Sequence, residues 1–150
     1  MVKFGTGGWR AIIGDEFTKA NVCLLAQAIS DEMHSRGAKE IVIGFDKRFL
    51  SDTAAVWASE VFAANDITVY YIKKAAPTPL IMFGVKTLQT EFGIAVTASH
   101  NPADYNGIKV FTKGGRDADV TWTRLFEERM ETGVTVKSMP FEKGVEEGKI

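Results

Sequence analysis

The densest chemistry in this chain is the run Thr97-Ala98-Ser99-His100-Asn101-Pro102, which closes the apolar segment Phe92 to Ala98. In open α/β sheets, ligands bind beyond the carboxyl ends of strands. A hydroxyl, an imidazole and an amide gathered at such an end stand where a site would be. A polar turn accounts for the same residues, since Ser, Asn and Pro are common turn formers. Ser99 beside His100 has the residue types of a serine hydrolase, yet a serine nucleophile needs a base within reach that is itself held by a third group. Neighbours in an extended chain point to opposite sides, so His100 is expected to be poorly placed to deprotonate Ser99. The Gly-x-Ser-x-Gly elbow is also absent. A phosphate carried on Ser99 suits the setting better, because nearby cations would steady its charge.

Three cations fall near strand-to-loop junctions. Arg10 follows a glycine-rich opening, Arg48 lies just past the segment Glu40 to Asp46, and Lys109 follows Asn106-Gly107. Singly, each reads equally well as a solvated surface charge; together they matter only if the topology brings them to one end of a sheet. The opening Gly5-Thr6-Gly7-Gly8 lacks both the dinucleotide pattern and the Gly-Lys-Ser/Thr ending of a P-loop. It could still let backbone approach a phosphate closely. Asp117-Ala118-Asp119 imitates a metal-binding carboxylate pair, but is better suited to capping the helix that follows. His34 reads as a boundary residue of a helix, and Cys23, among apolar neighbours, as inert.

The elements that must position these residues alternate between two periods. Apolar side chains at Val22, Leu25, Ala26, Ile29 and Met33 make one stripe of a helix that opens at Thr18 and closes at Gly37. Ile41-Val42-Ile43-Gly44-Phe45 is a continuous apolar run suited to a strand covered on both faces. Ser51 is expected to cap a second helix ending near Asn65-Asp66, and Ile67 to Ile72 is a further strand. Thr78-Pro79 opens a third helix with Pro at its first position. Strands over Phe92 to Ala98 and Gly107 to Thr112 precede a last helix from about Val120 to Met130. Strands separated by helices of this length imply an α/β fold: a three-layer α/β/α sandwich, with helices on both faces of the sheet. The domain is expected to span residues 1–133, and the charged, weakly periodic residues 134–150 to form a linker-like tail.

Composition narrows the class. Hydrophobic residues make up 45% of the 150, and 18 Lys and Arg stand against 19 Asp and Glu, a formal charge of −1. That balance suits one ordinary globular domain and argues against disorder or a nucleic-acid partner, which calls for a basic excess. One cysteine excludes an internal disulfide and a Cys-rich zinc site. No secretory signal or apolar run of about 18 residues is evident, so a cytoplasmic protein with no membrane partner is expected.

At this point the motifs carry a resemblance. Thr97 to Pro102 followed by Asn106-Gly107-Ile108-Lys109 resembles the active-serine loop of the phosphohexomutase family, which includes phosphoglucomutase and phosphomannomutase. Phe4-Gly5-Thr6-Gly7-Gly8-Trp9-Arg10 resembles its opening motif, and Gly44-Phe45-Asp46-Lys47-Arg48 its Gly-x-Asp-x-Arg segment. The resemblance is to the first of four domains, domain I. It implies that Ser99 is the serine whose phosphate is donated to a sugar monophosphate, returning from a bisphosphorylated intermediate. It implies that His100 lies beside the reacting groups, that Lys109 serves as general acid or base, and that Arg10 stands close to the transferring phosphate. Arg48 and Asn101 would support that site.

The family's Mg²⁺ loop, Asp-Gly-Asp-x-Asp-Arg, is missing from the chain, as are the sugar-reading and substrate-phosphate sites. Mg²⁺ would therefore touch this chain only through a phosphate on Ser99, and none is expected to bind it tightly alone. The partners implied are a hexose phosphate, with glucose or mannose phosphate preferred, and the remaining domains of the same polypeptide. The isolated chain is expected to fold without mutase activity. A non-catalytic module that binds a phosphosugar or a protein remains an alternative, and a serine hydrolase a weaker one.

Overall fold

A computed structural model describes residues 2–5 and 8–150. The strands are β1 (Phe4–Gly5), β2 (Gly8–Ile12), β3 (Glu40–Phe45), β4 (Thr68–Tyr71), β5 (Phe92–Val96), β6 (Tyr105–Thr112) and β7 (Arg116–Asp117). The helices are α1 (Lys19–Ser35), α2 (Ser51–Ala64), α3 (Thr78–Leu88), α4 (Val120–Thr132) and α5 (Phe141–Glu146). The strands form one mixed sheet in the order β1-β2-β6-β5-β3-β4, with β7 on β6. β3 runs parallel to both β4 and β5, whereas β6 is antiparallel to β5 and to β2.

Alternation along the strands divides the core between the two faces. Trp9, Ile41, Ile43, Phe92, Ile94, Ile108 and Val110 point into the larger cluster, where the apolar stripes of α1, α2 and α4 cover the sheet. Val42, Ala95 and Phe111 point the other way, against Ile81 and Val85 of α3. The result is the expected three-layer α/β/α sandwich. Gly44 and Gly93 bring α3 close: a Cβ on either would run into Ile81 or Val85. No helix of the described residues is long and apolar enough to cross a membrane.

Three local expectations change. Ser51 is not a cap: α2 starts after Leu50, which sits at φ 63° with no side-chain cap bond, and the Ser51 hydroxyl turns to the loop before it. Pro79 is the second residue of α3 rather than the first, still among the N–H positions a helix leaves unpaired. The residues after Gly133 are not linker-like. They form α5 and pack back on α2 and β4, with Val69 N donating to the Lys149 carbonyl at 2.8 Å. The tail escaped the sequence reading because its contacts are scattered hydrogen bonds, an ion pair to Asp66 and one aromatic pair, which leave no periodic stripe.

Candidate active site

Topology explains why separate segments meet. Because β3 and β5 are parallel, the loops after Phe45 and Val96 leave the sheet at the same end. β6 starts at that end, and β2 finishes there, with Ile12 opposite Tyr105 and Arg10 opposite Gly107. Asp46 to Leu50, Thr97 to Asp104 and the end of β2 therefore share one edge of the sheet.

The backbone turns sharply at Ser99, whose φ of 56° lies in the left-handed region. For a residue with a Cβ that conformation costs about 1–2 kcal/mol, so its surroundings must hold it. The buried Thr97 hydroxyl accepts the Ser99 N–H at 3.0 Å, and Asn101 N donates to the Ala98 carbonyl at 3.1 Å. Arg48 does the rest. Its Nη2 donates to the carbonyls of Ser99 at 2.8 Å and Asn101 at 2.6 Å, and its Nη1 to those of Pro102 at 2.8 Å and Tyr105 at 3.1 Å. Its Nε faces Asp46 Oδ2 at 3.7 Å. Both terminal nitrogens of the guanidinium are thus committed to backbone carbonyls, and Nε faces a carboxylate. Arg48 grips the loop rather than facing a phosphate.

The expectation that Ser99 and His100 point apart rested on an extended chain and does not hold. The left-handed turn brings Ser99 Oγ to 3.4 Å from His100 Nδ1. That is longer than the roughly 2.6–3.2 Å of a working general base. Ser99 Oγ is also the single side-chain partner of His100 among the described residues, so no third group orients the imidazole. The hydrolase constellation is incomplete.

Arg10 Nη1 donates to Asn101 Oδ1 at 3.2 Å, its one described side-chain bond, so most of its donors remain open beside the loop. Lys109 stands on the same sheet face, since Arg10 lies opposite Gly107, and Gly107 and Lys109 are two residues apart on β6. Two residues of strand put it about 7 Å further along. Its Nζ pairs with Asp117 Oδ1 at 3.0 Å rather than with Ser99 or the other cations. Asp117 therefore serves Lys109, and Asp119 alone caps α4, accepting from Thr121 N and Trp122 N. Thr6 and Gly7 of the glycine-rich opening lie outside the described residues.

Asp46, Thr97 and Asn106, quoted only as motif members, and Ser51, expected only as a cap, support the site through hydrogen bonds. The strand expected from Gly107 starts two residues earlier, at Tyr105, so Asn106 lies inside β6 and is fully buried. Gly107 is required by proximity: a Cβ there would collide with the Trp9 carbonyl oxygen and press on Arg10 Cα and the Thr97 carbonyl. The end of β2, the start of β6 and the loop at Thr97 are in backbone contact around that one residue. Among the described residues no group of three or more His, Cys, Asp or Glu could hold a metal ion. The side chains present do not form a cage for Mg²⁺.

A family model described as phosphoglucomutase/phosphomannomutase, alpha/beta/alpha domain I, matches residues 1–136. The chain belongs to this family. A phosphoglucomutase from Staphylococcus saprophyticus is 37% identical over 160 residues, covering 100% of this chain and 28% of its own length. A protein named as a probable phosphoribomutase from Schizosaccharomyces pombe is 39% identical over 121 residues, covering 76% of this chain and 21% of its own. The chain thus spans less than a third of these relatives. Among solved structures, a Thermus thermophilus protein assigned as a phosphomannomutase superposes with a TM-score of 0.85 at 33% identity, over 93% of this chain and 32% of that one. Parafusin, a phosphoglucomutase from Paramecium, shares the fold with a TM-score of 0.80 at 22% identity, over 100% of this chain and 30% of that one.

Proposed function

We propose that this chain is the phosphoserine-bearing domain of a mutase that interconverts hexose 1-phosphate and hexose 6-phosphate. In the forward half-reaction the bond between Ser99 Oγ and phosphorus breaks as a sugar hydroxyl oxygen bonds to the same phosphorus. The hydroxyl gives up its proton and Ser99 Oγ takes one, leaving a bisphosphorylated sugar. The second half reverses this with the sugar's other phosphate, which returns to Ser99.

A phosphoryl group in transfer needs positioning and charge stabilisation more than covalent help. Arg10, with donors open beside Asn101, is the group that steadies the phosphate. His100, against Ser99 Oγ, and Lys109, on the same face as Arg10, are the candidates for moving the proton. Asn101 orients Arg10, and Arg48 fixes the loop backbone. Magnesium would meet this chain only through the phosphate on Ser99, with its other ligands coming from the rest of the polypeptide. The reading includes a soluble, cytoplasmic enzyme that is inactive when reduced to this one domain.

The observation that carries the proposal is the conformation of Ser99. Its backbone is gripped by Arg48 and Thr97, while among the described residues its hydroxyl has no bonded partner but His100 at 3.4 Å. That arrangement presents a hydroxyl outward for modification. The test is peptide mass analysis of the full-length protein purified without phosphatase exposure, together with mutase assays on glucose, mannose and ribose phosphates. Phosphate on Ser99, and turnover lost in Ser99→Ala, are expected. Undiminished turnover in Ser99→Ala overturns the assignment.

A further inference from the structure

A buried polar chain runs behind the loop and ends on it. Asn106 Nδ2 donates to Ser51 Oγ at 2.9 Å and to the Phe49 carbonyl at 2.9 Å, while Asn106 Oδ1 accepts from Gly107 N at 2.8 Å. The backbone bond from Gly107 settles which end of the amide is oxygen. Ser51 Oγ therefore accepts from Asn106, and its own hydrogen goes to Asp46 Oδ1 at 2.7 Å. The same carboxylate oxygen accepts Arg48 N at 2.9 Å, and Asp46 Oδ2 faces Arg48 Nε. The donors converge on Asp46: Asn106 donates to Ser51 and Ser51 to Asp46, while Arg48 donates to Asp46 from the other side and to the carbonyls of Ser99, Asn101, Pro102 and Tyr105. The N–H that Asn106 gives to Ser51 Oγ strengthens the bond the Ser51 hydroxyl makes to Asp46, and Asn106 and Ser51 are both fully buried.

The chain also holds two strained turns together. Leu50 and Ser99 both occupy the left-handed region, at φ 63° and 56°. Asn106 binds the carbonyl of Phe49 just before the first, and Arg48 binds the carbonyl of the second. Such strain persists only where the surroundings over-determine it, and here one relay bonds at both places.

We propose that Asn106 and Ser51 are positioning residues for phosphoryl transfer at Ser99, acting through Asp46 and Arg48 to fix the turn that presents its hydroxyl. This deepens the mutase reading and rests on it. Neither residue touches the Ser99 hydroxyl. Their loss should misplace the nucleophile while leaving KM for the sugar phosphate as it was.

The experiment uses the full-length protein with Ser51→Ala, Asp46→Ala and Asp46→Asn. Hydrogen exchange of peptides covering 97–107 is measured alongside kcat and KM, with peptides from α1 as the control for global folding. Ser51→Ala and Asp46→Ala are expected to speed exchange in 97–107 alone. They should lower kcat about 10- to 100-fold, the scale of a misplacement near 1 Å, with KM unchanged. Asp46→Asn keeps an oxygen for Ser51 and for Arg48 N, so it should restore most of both. Unchanged exchange in 97–107 overturns the proposal, as does equal damage by Asp46→Asn and Asp46→Ala. Faster exchange with wild-type kcat also overturns it, provided Ser99→Ala abolishes turnover. Turnover that survives Ser99→Ala overturns the mutase reading instead.

Discussion

Arg48 Nη2 donates to the Ser99 carbonyl oxygen at 2.8 Å, joining two loops that lie 51 residues apart in sequence. The contact separates two tasks that cations near a reactive serine could share. Arg48 spends its donors on backbone and fixes a conformation. Arg10, on β2 rather than in the loop after β3, keeps donors open and faces the space in front of Ser99's loop through Asn101.

That division makes Arg10 the cation whose removal should be felt by the chemistry. Arg10→Ala in the full-length protein is expected to reduce kcat by roughly 10²- to 10³-fold, the usual scale for losing one group that stabilises transition-state charge. Arg10→Lys should recover part of this, because a lysine offers charge without the fork. Thermal stability should stay near wild type. A matched loss of folding and activity would mean that Arg10 is structural.

Gly107 should tolerate nothing larger. An added Cβ meets backbone of β2 and the Thr97 carbonyl just past β5, which cannot rotate away as a side chain could. Gly107→Ala is expected to cost about 3 kcal/mol, the upper range for overpacking. The urea midpoint measures it. A shift under about 0.5 kcal/mol would place β2 and β5 further from β6 than they stand here.

The layers and strand-helix alternation were legible because they follow from period. Val22, Leu25 and Ile29 recur at helical spacing, and Ile41 to Phe45 is apolar on both faces, so each declares its environment locally. The left-handed turn at Ser99 was not legible. It depends on Arg48 and Thr97, and no local pattern distinguishes a serine held at positive φ from one in an extended strand. Ser51 misled for a related reason: a serine at a helix start reads as a cap, and its bonds to Asp46 and to Asn106, 55 residues away, show why its hydroxyl points elsewhere. Lys109 and Arg10 were gathered to one sheet face by strand register, which a single sequence does not display.

Acid should weaken the domain through Glu32. This carboxylate is buried between α1 and α4, with Arg36 Nε at 2.6 Å and Arg129 Nε at 3.0 Å. Burial alone would push its pKa up, but the bonds and charges of Arg129 and Arg36 outweigh that and hold it below the ordinary value of 4.5. A lowered pKa in the folded state gives stability that is complete above the unfolded value and lost as pH falls through the folded one. Glu32→Gln is expected to cost about 1–3 kcal/mol near neutral pH. The difference in Tm between wild type and variant should shrink below about pH 4, where the unfolded carboxyl takes up its proton. A gap as large at pH 3 as at pH 7 would show that packing, not charge, is what Glu32 supplies.

The tail should behave as part of the domain. Lys137 N donates to Gln27 Oε1 at 3.0 Å, Met139 N to the Glu60 carbonyl at 3.2 Å, and Phe141 sets its ring edge-on to Tyr71 at 5.2 Å. Lys149 then binds Asp66 at 2.8 Å while its carbonyl takes Val69 N, covering the free edge of β4. An uncovered edge strand is a template for pairing with other chains. Phe141→Ala is expected to cost about 1–2 kcal/mol from the lost aromatic pair and the area it covers. Ending the chain at Gly133 should cost more and add concentration-dependent association, read by urea titration and light scattering. If the shortened chain kept the wild-type midpoint and stayed monomeric, residues 134–150 would be a linker after all. Loss of both would move the working boundary of the domain from Gly133 to the last strap on β4.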